Sequence, residues 1–303
     1  MKKSFGCLTL LACLSAAGIA LPSEKALFQA PSGAFLELEF RSLQPGEVLL
    51  VSLPDAPGVR GAVVVFREKE YVLFSAQRFA FIGLDLGLEP GSYPMTVTFE
   101  RTNGGREAVR RDIVVGAKKF PRKKLWVKES FAVPPKEVEE RIRREAELVA
   151  WVYGNITPRW LGDGAFLQPN EGKVFPNFGQ RRIYNDAPRS THTGVDIAAP
   201  QGDPIRAANA GKVVLASHLY LSGNAVIIDH GLGVFSFYGH MSKILVKRGQ
   251  AVGKGDVIGK CGTTGRSTGP HLHWAVRVFD SRVDPFSLLE FGSLSYNNKE
   301  LSR

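Results

Sequence analysis

The sequence predicts a mainly β protein of two domains joined by a helix, and three observations carry that reading. Short alternating or apolar runs broken by turn residues fill positions 27 to 116. A single stretch of helical periodicity follows near position 140, and strand-like runs return from about Leu167 onward. At 303 residues, with 44% hydrophobic and 22% charged composition, the chain can bury two cores and has no compositional mark of disorder.

The first residues, Met1-Lys2-Lys3, precede an apolar stretch from Phe5 to Leu21 and then Pro22-Ser23-Glu24. That order is the one found in secretory signals, so residues 1–20 are set apart from the fold. Gly18 and Ala20 are small residues suited to cleavage after Ala20. Leu10-Leu11-Ala12-Cys13 offers an alternative, a lipoprotein anchored to a membrane through Cys13, although the residues after Cys13 stay apolar. The expected location is the periplasm or cell envelope. After cleavage only Cys261 of the three cysteines remains, so no internal disulfide can form.

From 27 to 116 the runs are Phe35 to Phe40, Glu47 to Val51, Gly61 to Phe66 and Met95 to Phe99. Gln44-Pro45-Gly46, Glu89-Pro90-Gly91 and Asn103-Gly104-Gly105 punctuate them with turn chemistry. Strands at this spacing predict a β-sandwich of immunoglobulin-like kind. It holds no cluster of catalytic residue types and no histidine, so it is read as a positioning or recognition domain.

Residues 117–155 form a basic linker and a helix. Lys118, Lys119, Arg122, Lys123 and Lys124 around Pro121 suggest a solvated connection. From Pro134 to Trp151 the apolar positions 138, 142, 145 to 146 and 149 approximate a helical stripe, with Pro135 suited to the first turn. Which surface this helix covers is not written in its own residues. The formal charge of +10 implies affinity for polyanions, and for an exported chain an anionic envelope polymer is the expected partner rather than nucleic acid.

The second domain is expected over 167–291, with strand-like runs at 210–216, 225–229, 234–239 and 272–278. All six histidines fall between positions 192 and 273. His271 and His273, two apart on a strand, share one face, while Leu272, Trp274, Val276 and Val278 share the other, apolar face. Both imidazoles are therefore expected to look into a groove. His192 and Asp196 share a side at four-residue spacing, and alternation groups Ser236, Tyr238 and His240 on one face opposite the apolar face of Phe235 and Phe237, so His240 is also expected at a surface. His218 and His230, beside turns, are read as exposed, and Cys261 as buried and inert. Imidazole and carboxylate are the usual nitrogen and oxygen ligands of zinc, which keeps three protein ligands in a catalytic site. Four histidines and an aspartate exceed that number, and the surplus imidazoles suit proton transfer near neutral pH.

Four segments carry a resemblance to a known family. Phe178-Gly179-Gln180-Arg181-Arg182, the run from His192 to Pro200, Tyr238-Gly239-His240-Met241-Ser242 and the run from Gly265 to Trp274 resemble, in order and spacing, the lysostaphin-type murein metallopeptidases. The resemblance spans about Asn170 to Leu289. It implies an antiparallel β-sheet groove with one Zn2+ per chain on His192, Asp196 and His273, and it implies that His240 and His271 are catalytic partners. Met241 stands where the family often has leucine, and Tyr184 resembles a loop tyrosine that helps to stabilise the transition state.

The expected function is that of an exported zinc metalloendopeptidase hydrolysing stem or cross-bridge peptide bonds of peptidoglycan. The alternative is a non-catalytic cell-wall-binding protein or an activator of another murein hydrolase. Such relatives usually lack a metal ligand, and here all five positions are filled.

Overall fold

The computed structural model describes residues 24–74, 77–186, 189–289 and 291. The segment read as an export signal, with Cys13 and Ala20, lies outside the described residues. The chain is mainly β. Eight strands build the first domain: β1 (Glu24–Gln29), β2 (Phe35–Phe40), β3 (Val48–Ser52), β4 (Val59–Phe66), β5 (Lys69–Phe74), β6 (Phe79–Gly83), β7 (Gly91–Arg101) and β8 (Arg106–Val115). They pair antiparallel as two sheets, in the orders β1-β2-β3-β6 and β5-β4-β7-β8. The chain crosses between sheets after β3, β5 and β6, which gives an immunoglobulin-like sandwich. Leu36, Leu38, Leu49, Val51 and Ile82 of one sheet meet Ala62, Val64, Val97 and Phe99 of the other in its core.

β3 and β6 read as continuous apolar runs, and the reason is that both of their faces are covered. Leu49, Val51, Ala80 and Ile82 point into the sandwich, whereas Val48, Leu50, Phe79 and Phe81 belong to the core of the second domain. Phe79 and Phe81 pack on Trp160, with ring centroids 5.8 and 5.2 Å apart. Ion pairs border this seam. Arg41 bridges the buried Glu47 and Asp284, each at 2.8 Å, and Arg282 donates to both oxygens of Asp85 at 2.7 and 3.0 Å.

The connecting residues hold two elements that composition left open. A short strand, β9 (Arg122–Leu125), interrupts what the sequence suggested was a solvated linker, and a single turn, α1 (Glu129–Ala132), follows it. The helix α2 (Lys136–Gly154) then lays Val149, Val152 and Tyr153 on Leu215, Ile227 and Phe235 of the second domain.

That domain contributes β10 (Lys173–Phe175), β11 (Arg181–Tyr184), β12 (Arg189–Thr191), β13 (Gly194–Ala198), β14 (Pro204–Arg206), β15 (Gly211–Leu219), β16 (Gly223–Gly231), β17 (Val234–Met241), β18 (Lys243–Ile244), β19 (Ala251–Val252), β20 (Val257–Lys260), β21 (His271–Val278) and β22 (Ser281–Val283). Its main antiparallel sheet runs β10-β13-β21-β17-β16-β15-β19, with β22 on β21. β11 sits in a small sheet between β12 and β9. Leu272, Trp274, Val276 and Val278 all face the core, and α2 covers part of the opposite face.

His230 departs from expectation. It is fully buried rather than exposed, because β16 continues through the residues that looked like a turn and closes only at Leu232-Gly233. Its Nδ1 donates to the Ala210 carbonyl at 2.7 Å, and its Nε2 accepts from Ser236 Oγ at 2.7 Å, which in turn bonds the Tyr238 hydroxyl at 2.9 Å. Burial holds the imidazole near a pKa of about 4, so it stays neutral. His218 is exposed, beside Arg141 on α2.

Candidate metal centre and groove

Antiparallel register places the first pair of site residues. Asp196 on β13 lies directly opposite His273 on β21, and Ala198 lies opposite His271, so the carboxylate and both imidazoles share the groove face. His192 enters from the segment just before β13, where its backbone N–H donates to the Gln180 carbonyl at 2.9 Å. The result is a tight triangle. His192 Nε2 lies 3.0 Å from Asp196 Oδ1 and 2.9 Å from His273 Nδ1, and His273 Nδ1 lies 3.2 Å from the same carboxylate oxygen.

His240 arrives by a different route from the one alternation suggests. Tyr238 pairs with Trp274 on the core face and Gly239 with His273 on the groove face, so a regular strand would turn His240 into the core. Instead β17 carries an extra residue against β16, and His240 takes φ of +61°, in the left-handed region. The bulge turns its ring into the groove, 4.8 Å from the His271 ring and 6.0 Å from that of His273. Its backbone N–H donates to Ser222 O at 2.8 Å, which fixes the bulge.

In three of the four rings a backbone carbonyl, which can only accept, places the proton. His192 Nδ1 donates to Asn177 O at 3.0 Å, His240 Nδ1 to Thr264 O at 2.8 Å, and His271 Nδ1 to Gly269 O at 2.8 Å. The Nε2 atoms of all three therefore present lone pairs to the groove. Burial lowers His192 to about 4 and His240 to about 3, the latter pushed further by its two imidazole neighbours, and burial lowers His271 as well. Asp196 is held well below the usual carboxylate range: burial alone would raise it, but its close contacts with the His192 and His273 rings outweigh that. Its second oxygen accepts from Arg182 at 2.6 Å and from Asn177 Nδ2 at 2.9 Å.

This donor set fits a divalent metal. The His192 lone pair, the Asp196 oxygen and His273 Nδ1 converge at 2.9 to 3.2 Å, and at most one proton can lie among them while His192 is neutral. Ligands about 2.0–2.2 Å from a tetrahedral ion would stand roughly 3.3 Å apart, close to that spacing. His192, Asp196 and His273 form the His-Asp-His cluster, and His240 and His271 lie beside it. Cys261 is buried elsewhere, its thiol pushed up to about 11 by burial. Tyr184 lines the groove with its ring 4.3 Å beneath the Arg266 guanidinium.

The orienting groups were not legible in the sequence. Arg182 stood within a quoted motif without an assigned task, and Asn177 lies one residue outside it. Thr264 and Gly269 act through carbonyls, which every residue type carries. Beside the cluster opens a groove of about 500 Å³, lined by Lys123, Leu125, Val127, Tyr184, Arg266 and His271 among others.

Fold and donor set together define an antiparallel β-sheet protein with a His-Asp-His candidate metal centre. Residues 190–285 match peptidase family M23, and the chain belongs to that family. A crystal structure of an M23 peptidase from Pseudomonas aeruginosa is 32% identical, covers 82% of this chain and 96% of its own, and superposes with a TM-score of 0.61. The peptidoglycan DD-endopeptidase ShyA of Vibrio cholerae is 43% identical over 107 residues, which is 35% of this chain and 25% of that protein. The DD-carboxypeptidase/endopeptidase Mpg of Neisseria meningitidis is 46% identical over 97 residues, 32% of this chain and 22% of that protein. The chain thus spans about a quarter of the length of these two relatives.

Proposed function

We propose that the protein is an exported zinc endopeptidase that hydrolyses peptide bonds of peptidoglycan. The observation that carries the reading is the convergence of three ligand atoms beside two further imidazoles whose lone pairs are aimed into the same groove. His192, Asp196 and His273 would hold the zinc, which supplies a Lewis acid that polarises a carbonyl and makes water acidic near neutral pH. His240 and His271, both neutral acceptors, between them take the proton of the attacking water and return it to the leaving nitrogen. Asn177 and Arg182 hold Asp196 in place throughout. Tyr184 stands in the groove wall, where its hydroxyl can steady the developing oxyanion.

The relatives' names support peptidoglycan as substrate, and the first 20 residues support export, with anchorage through Cys13 as the alternative. The mass of the mature chain distinguishes cleavage after Ala20 from a lipidated Cys13. Digesting purified sacculi with and without a chelator, then identifying the released peptides by mass, tests activity and bond choice together. Fragments released only without chelator are the expected result. Binding to sacculi with no release at any metal loading would favour the non-catalytic alternative.

A further inference from the structure

The strand that joins the two domains lines the groove beside the metal cluster. β9 pairs in parallel with β11 over four positions, Arg122 with Arg181 through Leu125 with Tyr184. Arg181 N–H donates to Pro121 O at 2.8 Å and Asn185 N–H to Leu125 O at 3.0 Å. The Asn185 side chain then clasps Val127, accepting from its N–H at 2.9 Å and donating to its carbonyl at 2.8 Å. A segment fastened at both ends in this way is a wall rather than a tether.

Alternation decides what the wall presents. Lys123, Leu125 and Val127, two apart, all line the groove, while Lys124 turns away to Asp186 at 2.6 Å. Among the described residues lining the groove, the acidic member is Asp196, and it is already engaged by His192, His273 and Arg182. Lys123 and Arg266 face the cavity without a carboxylate partner among the described residues, Arg266 resting on the Tyr184 ring. The cavity's free charge is therefore positive, set beside two apolar side chains.

We propose that the interdomain strand is a specificity wall of the groove, and that Lys123, with Arg266, binds free carboxylates of the substrate peptide. The proposal rests on the peptidase reading above for the identity of that peptide, but its binding claim is testable without turnover. A partly exposed lysine–carboxylate pair is worth up to about 1 kcal/mol, or roughly fivefold in affinity.

The test is calorimetry on the full-length, zinc-loaded protein with a short uncleavable D-alanine-terminated peptide, its carboxylates either free or all amidated. The wild type is expected to favour the free-carboxylate peptide. Lys123→Gln should weaken that peptide about fivefold and leave the amidated one unchanged, Lys123→Arg should restore most of the loss, and Lys124→Gln should change neither. Equal binding of both peptides by the wild type, or a Lys123→Gln protein that keeps the preference, would overturn the proposal. So would an equal loss toward inorganic polyphosphate, which would mark Lys123 as a general polyanion contact. Cleavage of a cross-linked peptide by the same preparations separates the two claims: preference without cleavage removes the peptidase reading and keeps the wall, and cleavage without preference does the reverse.

Discussion

At the scale of single residues, the two classes of histidine make different demands on the metal. His273 has its Nδ1 within the ligand triangle, whereas His240 reaches the groove from outside it. His273→Ala should therefore lose stoichiometric zinc, and His240→Ala should keep zinc and lose turnover by at least about 100-fold, the ordinary contribution of a proton-transfer group. Metal analysis of the two purified variants alongside sacculus digestion checks this, and a zinc-free His240→Ala protein would refute that division of labour. Arg182→Met removes the 2.6 Å bond that orients Asp196 and should weaken zinc affinity about 10- to 100-fold, measured by competition with a chelator. The five converging side chains were legible because motif spacing preserves side-chain identity. Their carbonyl partners were not, since an acceptor on the main chain leaves no trace in composition.

Among the elements, β17 shows where periodicity stops being a guide. Alternation separates Phe235 from Ser236 and Tyr238, but the Ser236–Tyr238 face, expected at a surface, is the one that enters the main core, and His240 reaches the groove only because a single inserted residue resets the phase, which no residue type announces. A left-handed φ costs a residue with a Cβ about 1 kcal/mol relative to glycine. His240→Gly should consequently be more stable than His240→Ala by about that amount, although both should lack activity; equal denaturation midpoints would mean that the bulge is not strained. The strands themselves were readable from apolar runs and turn residues, and α2 from its stripe. Its docking surface was not, because that depends on Phe235 and Ile227, which lie about 80 positions away in the chain. Phe235→Ala, which empties the contact between α2 and the sheet, should cost about 3–5 kcal/mol in denaturant unfolding.

For the whole molecule, the buried neutral His230 ties stability to pH. Its folded pKa of about 4 lies below the ordinary 6.5, so the unfolded chain takes up the proton first as pH falls. Its contribution is complete above about pH 6.5 and is lost progressively down to about pH 4, a change of about 3 kcal/mol. Stability measured across that window should fall less steeply in His230→Gln than in the wild type, and parallel slopes would reject the assignment. The sequence made His230 look like a turn residue because glycines surround it, and only the pairing of β16 with β17 shows that the strand encloses it. The lysine-rich connection likewise read as a solvated linker between two domains. Yet Val48, Leu50, Phe79 and Phe81 leave the sandwich to complete the other domain's core. Dividing the polypeptide there would strip each half of its cover and leave a contiguous oily patch on both. Each fragment, however well it kept its strands, would be expected to cluster with copies of itself, so its colloidal behaviour would say little about the intact protein.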